Sequence, residues 1–199
     1  MKNIITISRQ FGAGGGEIGR KVADQLGYYY CDRDMIIHSA MQDQSLPRDL
    51  FRIYDEKLPF SLGFGQSLFD FYNRPLSESL FNAQKKAILA IGEKRDCVIV
   101  GRNANVILKE FDHSLHIFIA AEQYYRVKRM RERMPDVSDD EIIERIKTVD
   151  KKRKKYCSYY TNTVFGDASA YDLCLKSSTL GIDTCVELIC QIARGEAVT

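Results

Sequence analysis

Glycine residues are concentrated in one short segment near the N-terminus, residues 9–19. Five of the eight residues from position 12 to position 19 are glycine. Each glycine loses more conformational freedom on folding than any other residue, so this run is a poor choice for stability alone. Its advantage is that the backbone can approach a ligand closely and wrap its N–H groups around a phosphate chain. The segment therefore predicts a phosphate-binding loop, with a ligand-free strand-to-helix turn as the alternative.

The same segment contains two overlapping nucleotide-binding patterns. Gly14, Gly16 and Gly19 form a G-x-G-x-x-G sequence. Asp32 follows at about the distance at which a dinucleotide site places its acidic ribose ligand. A dinucleotide loop begins directly after its strand, however, whereas residues 9–13 precede Gly14 here. The longer segment before Gly14 favours a P-loop type of phosphate site over the dinucleotide site of a nicotinamide-dependent oxidoreductase.

The loop departs from the P-loop pattern G-x-x-x-x-G-K-[ST] at two positions. With Gly12 and Gly14 in the later glycine positions, the lysine position falls on Gly15 and the Ser/Thr position on Gly16. The loop thus lacks the ammonium that reaches the β- and γ-phosphates and the hydroxyl that holds Mg²⁺. Arg9, at the loop entrance, is the nearest cation that can substitute. The residues expected to hold the donor phosphates are Arg9, Gly12, Ala13, Gly14, Gly15, Gly16 and Glu17.

Positive charge is concentrated in residues 126–155, although the whole chain has a formal net charge of only +2. This stretch has 12 Lys and Arg against 7 Asp and Glu, a local net charge of +5. Arg126, Arg129 and Arg133 recur at spacings of three and four and so lie near one face of a helix, and Arg153 lies on a second helix. Such arginines can bind phosphate groups and neutralise their charge. The alternatives are a solvated, salt-bridged helix pair and a nucleic-acid contact, which the modest overall charge disfavours.

Strands and helices alternate around these residues. β-Branched and continuous apolar runs predict strands at residues 4–8, 28–31, 97–100, 115–120 and 171–175. Helical spacing and capping signals predict helices that begin near residues 17, 33, 47, 77, 122, 138 and 182. The apolar runs are typical of strands buried on both faces. Strands joined through helices form a parallel sheet, so the expected fold class is α/β.

The composition is that of a globular domain. The 199 residues are 45% hydrophobic and 28% charged, which excludes disordered and collagen-like chains. No apolar run approaches the roughly 20 residues that span a bilayer. The N-terminus shows no signal-peptide pattern. Six cysteines without a C-x-x-C pair predict reduced, structural thiols. We therefore expect a cytoplasmic protein with no membrane partner and no structural metal.

Four segments together resemble the cytidylate-kinase-like family of P-loop proteins, relatives of the nucleoside monophosphate kinases. They are residues 7–19 (ISRQFGAGGGEIG), 30–34 (YCDRD), 97–104 (CVIVGRNA) and 171–173 (YDL). The resemblance runs over most of the chain and implies a three-layer P-loop NTPase fold with a five-stranded parallel sheet. It implies one kinase-like domain over residues 1–199. Within that domain it places a helical acceptor-binding insertion at residues 33–75 and a lid of basic helices at residues 126–155.

The resemblance also implies a reaction, namely phosphoryl transfer from ATP, with Mg²⁺, to a nucleoside monophosphate of the CMP or dCMP type. The residues then assigned to catalysis are Arg126, Arg129 and Arg153. Those assigned to the acceptor are Asp32, Arg33 and Arg102. Gly101 and Arg102 directly follow an apolar strand, and the alternative role of Arg102 is an ion pair at a helix start. Asp32 either orients Mg²⁺-bound water or caps the next helix, and no other protein ligand for a metal is expected.

A nucleotide- or phosphate-binding module of the same fold, without transfer activity, is the alternative function. The missing lysine and Ser/Thr motivate it, and nucleotide binding without turnover on any acceptor would distinguish it. Small-molecule nucleotides are the expected partners. The aromatic cluster at residues 60–72 is either acceptor-domain core or a dimer surface, so both a monomer and a homodimer are compatible with the sequence.

Overall fold

The computed structural model describes residues 1–41 and 78–197 of the chain. Within these ranges strands and helices alternate. The strands are β1 (Ile4–Arg9), β2 (Tyr29–Cys31), β3 (Cys97–Val100), β4 (Ser114–Ala120) and β5 (Leu173–Lys176). The helices are α1 (Gly15–Leu26), α2 (Arg33–Met41), α3 (Glu78–Lys94), α4 (Ala104–Ile107), α5 (Gln123–Arg133), α6 (Asp139–Thr161), α7 (Ser177–Leu180) and α8 (Ile182–Arg194), with a 3-10 turn at Ala168–Ala170.

The strands form one parallel sheet in the order β2-β3-β1-β4-β5. The central strand is β1, in which Ile4 lies opposite Cys97 of β3 and Ser114 of β4. Every residue of β3 is buried. Such continuous burial is expected where helices cover both faces of a parallel sheet. The predicted five-stranded parallel sheet is therefore confirmed.

Alternate residues of the central strands face opposite layers of helices. Ile5 and Ile7 pack in a core cluster with residues of α1 and α8. Ile4 and Ile99 pack in a second cluster with residues of α2, α3 and α4. The two-residue period of a strand explains this division, since successive side chains point to opposite faces. The molecule thus has helices on both sides of the sheet, and the predicted three-layer α/β fold is confirmed.

The two basic helices, α5 and α6, pack against the glycine-rich segment. Phe11 of that segment lies in an apolar cluster with Val127 of α5 and Ile146 of α6. The predicted capping box opens α6, because Ser138 Oγ accepts the Glu141 N–H and the Glu141 carboxylate accepts the Ser138 N–H. The two helices that carry the positive charge therefore pack against the glycine-rich loop through apolar contacts.

Some expected boundaries differ from the structure. The last strand covers Leu173–Lys176 instead of residues 171–175, because Tyr171 ends the 3-10 turn. The short helices α4 and α7 have four residues each, too few to show a helical period in the sequence. The helix expected from residue 47 and the aromatic cluster at residues 60–72 lie outside the described residues. No helix in the described ranges is long and apolar enough to cross a membrane.

Candidate active site

The glycine-rich loop and the predicted acceptor residues lie at the carboxyl edge of the sheet. Strand β1 ends at Arg9, β2 ends one residue before Asp32, and β3 ends one residue before Gly101. Because these three strands are parallel neighbours, their carboxyl ends lie side by side. Open α/β sheets bind their ligands at this edge. The fold thus places the loop, Asp32 and Arg102 at one edge of the sheet.

The loop between β1 and α1 uses glycine for its shape. Gly12 has a φ of 80° and Gly14 a φ of 85°, a left-handed conformation that other residues rarely adopt. A Cβ on Gly14 would also lie 2.5 Å from Cδ1 of Ile182. Gly14 precedes α1 without a side-chain cap hydrogen bond. The first-turn N–H groups of α1 therefore point out of the helix end, as an anion-binding cradle requires.

An ion pair between the two basic helices holds the loop at Phe11. Arg126 Nη1 donates to the Phe11 carbonyl oxygen at 3.2 Å and to Asp150 Oδ2 at 2.5 Å. Asp150 Oδ1 accepts the Phe11 N–H at 2.8 Å. Both backbone polar groups of Phe11 are thus bound by one buried pair. The structure places Arg126 in contact with the loop, and its role toward the transferring group stays a prediction.

Two further arginines of α5 converge on Glu17 in the first turn of α1. Arg129 Nη2 donates to Glu17 Oε2 at 2.6 Å, and Arg133 Nη2 lies 3.5 Å from the same oxygen. Burial lowers the pKa of Arg129, but the hydrogen bond and charge of Glu17 outweigh it, so the pKa is raised. A polyphosphate at the start of α1 would compete with Glu17 for these guanidinium groups, because both are anions.

A small cavity lies beside the loop. Its lining residues are Ser8, Arg9, Gly101, Arg102, Asn103, Arg153, Tyr156 and Phe165. Three of them are arginines and none is a carboxylate, so the cavity favours an anion. Arg153 is buried, and its Nη1 donates to the Arg9 carbonyl oxygen at 2.7 Å. In the part of the chain that the structure describes, Arg153 Nε is buried without a hydrogen-bond partner. Such a donor is costly unless a water or a ligand supplies an acceptor.

Three consecutive residues after β3 adopt left-handed backbone conformations. The φ angles are 86° for Gly101, 60° for Arg102 and 55° for Asn103. Asparagine tolerates this conformation, but for Arg102 it is strained, and strain of this kind is concentrated at functional sites. Arg102 is buried, and its guanidinium carbon lies 5.5 Å from the ring centroid of Tyr156. The turn therefore holds Arg102 at the cavity against an aromatic face, a cation–π arrangement.

The remaining predicted acceptor residues lie at the start of α2. Asp32 Oδ1 accepts the backbone N–H groups of Asp34 at 3.1 Å and Met35 at 3.2 Å. Asp32 Oδ2 lies 4.0 Å from Arg20 Nη2. Arg33 forms an ion pair with Asp34 at 2.7 Å. Of the two roles open to Asp32, the structure shows the helix cap, and its role toward Mg²⁺ stays a prediction.

Asp150 and Tyr156 are among the residues of the site that were not predicted from the sequence. Asp150 directly precedes five consecutive basic residues. An acidic residue beside such a run could have indicated an ion pair with one of the predicted arginines. Tyr156 directly follows the same run, but nothing in its spacing shows that its ring lies beneath Arg102. Both contacts depend on how α6 crosses the carboxyl edge of the sheet, which no local pattern encodes.

Solved structures with this architecture include small-molecule kinases. A shikimate kinase from Bacteroides thetaiotaomicron aligns with a TM-score of 0.58 over 98% of this chain and 99% of its own, at 14% identity. A gluconokinase from Sinorhizobium meliloti 1021 aligns with a TM-score of 0.51 over 98% and 95%, at 12% identity. At these identities the likeness shows the fold alone. The chain therefore has the fold of the P-loop kinases.

The sequence comparison is more specific. Residues 4–179 match the cytidylate kinase-like family, and the chain belongs to that family. An uncharacterized protein from Eubacterium ventriosum ATCC 27560 aligns with a TM-score of 0.75 over 97% of this chain and 99% of its own, at 25% identity. No curated protein sequence matches the chain. The family match confirms the resemblance that the motifs indicated and supports a kinase, that is, a phosphotransferase.

Proposed function

We propose that this protein transfers the γ-phosphoryl group of ATP to a nucleoside monophosphate, with CMP or dCMP as the expected acceptor. The observation that carries the proposal is the arginine-lined cavity beside the glycine-rich loop. Family membership supports a nucleotide acceptor. The two neighbours named for shikimate and gluconate show that related folds accept other small molecules, so both compounds belong in the test.

The reaction requires positioning and positive charge more than covalent chemistry from the protein. An oxygen of the acceptor phosphate attacks the γ-phosphorus of ATP, the bond from that phosphorus to the β–γ bridging oxygen breaks, and ADP leaves. The glycine-rich loop and the first turn of α1 hold the donor phosphates. Arg153, on α6, contacts the migrating group. Arg102, on the turn after β3, contacts the acceptor phosphate.

The arginines of α5 have two separate tasks in this proposal. Arg126 keeps the loop in its binding conformation through Phe11. Arg129 exchanges Glu17 for a phosphate oxygen when ATP binds, which adds positive charge where the γ-phosphoryl group leaves the donor. Both tasks place the basic helices over the transferring group, so residues 126–155 act as the lid of the site.

Magnesium fits this site as an ion held mainly by the nucleotide. When bound with ATP, Mg²⁺ neutralises and orients the phosphates. Gly16 stands where a P-loop has its Ser/Thr ligand, and the described residues contain no group of three or more His, Cys, Asp or Glu side chains suited to a metal. Asp32 is the carboxylate assigned to a Mg²⁺-bound water, through the Oδ2 that does not cap α2. Mg²⁺ usually keeps several waters, so one such contact is compatible with its chemistry.

The test is transfer of label from γ-labelled ATP to a panel of acceptors: CMP, dCMP, UMP, AMP, GMP, shikimate and gluconate. We expect one class of labelled product from the wild type. In Arg153→Gln the rate should fall by about a hundredfold, as when an aligned donor to a transition-state charge is removed. Lys154→Gln, the exposed neighbour on α6, is the matched control and should retain the wild-type rate.

Two results would contradict the proposal. ATP binding without transfer to any acceptor would favour the alternative, a nucleotide-binding module of the same fold. Equal rates in Arg153→Gln and the wild type would show that the cavity is not where the phosphoryl group moves.

A further inference from the structure

The course of the Arg9 side chain explains why residue 15 is glycine. Gly15 is the first residue of α1 and does not have a left-handed φ, so the backbone itself does not require glycine there. Glycine is also among the least favourable residues in a helix. A Cβ on residue 15 would lie 2.6 Å from Arg9 Cβ and 2.8 Å from Arg9 Cγ, closer than real Cβ atoms approach their neighbours. Any side chain at residue 15, lysine included, is therefore excluded by Cβ and Cγ of Arg9.

The far end of the same side chain lies against Gly101. A Cβ on Gly101 would collide with Arg9 Nη1 and lie 3.2 Å from Arg9 Cζ. The backbone of Arg9 is held as well, because its carbonyl oxygen accepts from Arg153 Nη1 at 2.7 Å. The Arg9 side chain thus runs from the loop entrance, past residue 15, to the cavity that Arg102 and Arg153 also line.

We propose that Arg9 replaces the P-loop lysine. Its guanidinium reaches the donor phosphates from the strand side of the loop. Glycine at residue 15 leaves space for Cβ and Cγ of Arg9, and glycine at residue 101 leaves space for the guanidinium. This inference rests on the proposed function and narrows the donor to a ligand with at least two linked phosphates. A lysine ammonium is a point charge, whereas a guanidinium is a planar fork that can bind two phosphate oxygens at once.

Nucleotide affinity tests the inference without requiring transfer. Calorimetry would compare ATP, ADP and AMP binding by the wild type, by Arg9→Ala and by Arg194→Ala, a partly exposed arginine on α8 that serves as matched control. Arg9→Ala should weaken ATP and ADP binding by about tenfold or more, since charge-assisted hydrogen bonds are lost. AMP binding by Arg9→Ala, and all binding by Arg194→Ala, should stay as in the wild type.

The outcomes separate this inference from the proposed function. Equal ATP affinity in Arg9→Ala and the wild type would overturn the role of Arg9, whether or not transfer occurs. Weaker ATP binding by Arg9→Ala than by the wild type, together with no transfer by the wild type, would support the inference and overturn the proposed function. A wild type that binds no nucleotide would overturn both.

A second measurement tests the steric argument without a ligand. Gly15→Ala should lower the Tm of the wild type, where the new Cβ meets Cβ and Cγ of Arg9. It should raise the Tm in an Arg9→Gly background, where both of those atoms are absent and alanine favours the helix. The double variant Arg9→Gly with Gly15→Lys should bind ATP more tightly than either single variant, because glycine at residue 9 leaves room for the lysine. Gly15→Ala tolerated equally in both backgrounds would overturn the claim that Arg9 excludes a side chain at residue 15.

Discussion

Replacing Arg126 by alanine should destabilise the protein far more than replacing Arg129, although both lie near one helix face and share a predicted role. The side chain of Arg126 is 11% exposed and that of its partner Asp150 is 14% exposed. The side chain of Arg129 is 17% exposed, but its partner Glu17 is 34% exposed. In Arg129→Ala, water therefore solvates the unpaired Glu17 carboxylate. In Arg126→Ala, water hardly reaches the unpaired Asp150 carboxylate.

The magnitudes follow from these burials. Removing one partner of a buried ion pair lowers the free energy of unfolding by about 3–5 kcal/mol. Because Arg126 and Asp150 are slightly exposed, we expect a loss at the lower end of this range, about 3 kcal/mol. Removing Arg129 should cost about 0.5 kcal/mol, because the Glu17 pair is partly exposed and Arg133 remains 3.5 Å from the same carboxylate oxygen. In a domain of this size each kcal/mol shifts the Tm by about 2–4 °C. The expected losses are roughly 6–12 °C and roughly 1–2 °C.

Thermal unfolding followed by circular dichroism, with urea unfolding as a second probe, would measure both variants. Equal losses of Tm would refute the assignment of Arg126 and Asp150 as the buried pair that holds the loop. At temperatures at which Arg126→Ala is still folded, its rate of ATP-dependent transfer should also fall below that of the wild type, because the Phe11 carbonyl loses its hydrogen bond from Arg126. A variant that is destabilised but keeps the wild-type rate would contradict any part of Arg126 in catalysis.

Three further predictions concern other parts of the molecule. Gly14→Ala should weaken ATP binding measured by calorimetry, because a φ of 85° is unfavourable for alanine by about 1–2 kcal/mol; wild-type affinity would contradict the loop assignment. Burial lowers the pKa of His116 from its ordinary 6.5, so the unfolded chain binds this proton more readily and the free energy of unfolding should fall as the pH drops below about 6.5. His116→Gln should lose part of this dependence in urea unfolding, and an unchanged dependence would contradict the assignment. A maleimide should label the exposed Cys174 of the folded protein first, since burial raises the pKa of Cys31 to about 12; mass spectrometry showing Cys31 labelled first would contradict this.

The fold could be predicted where the sequence carries a periodic or compositional signal. The apolar runs at Cys97–Val100 and Ser114–Ala120 had to be buried, and parallel strands follow from the helices between them. Ser138 and Glu141 marked the start of α6 through their spacing. The short helices and the exact extent of the last strand could not be predicted, because four residues carry no period and the 3-10 turn before β5 displaces its start.

The site was predicted less completely than the fold. Gly12 and Gly14 have the positive φ values that a phosphate loop needs, and Arg102 and Arg153 lie together at one cavity. The left-handed turn at residues 101–103 had only Gly101 and Asn103 as sequence signals, since glycine and asparagine tolerate this conformation. The same conformation at Arg102 had no signal, because arginine adopts it only when its surroundings enforce it. The Arg126–Asp150 pair and the path of Arg9 depend on contacts between distant segments. Patterns of local spacing do not encode such contacts.

The most direct test of the central claim is whether the wild-type protein moves the γ-label of ATP onto CMP or dCMP in the presence of Mg²⁺. We expect a labelled diphosphate that accumulates in proportion to enzyme, saturates with acceptor and disappears when Mg²⁺ is removed by chelation. Intact ATP after long incubation with every monophosphate of the panel, under conditions in which calorimetry shows that ATP is bound, would contradict it.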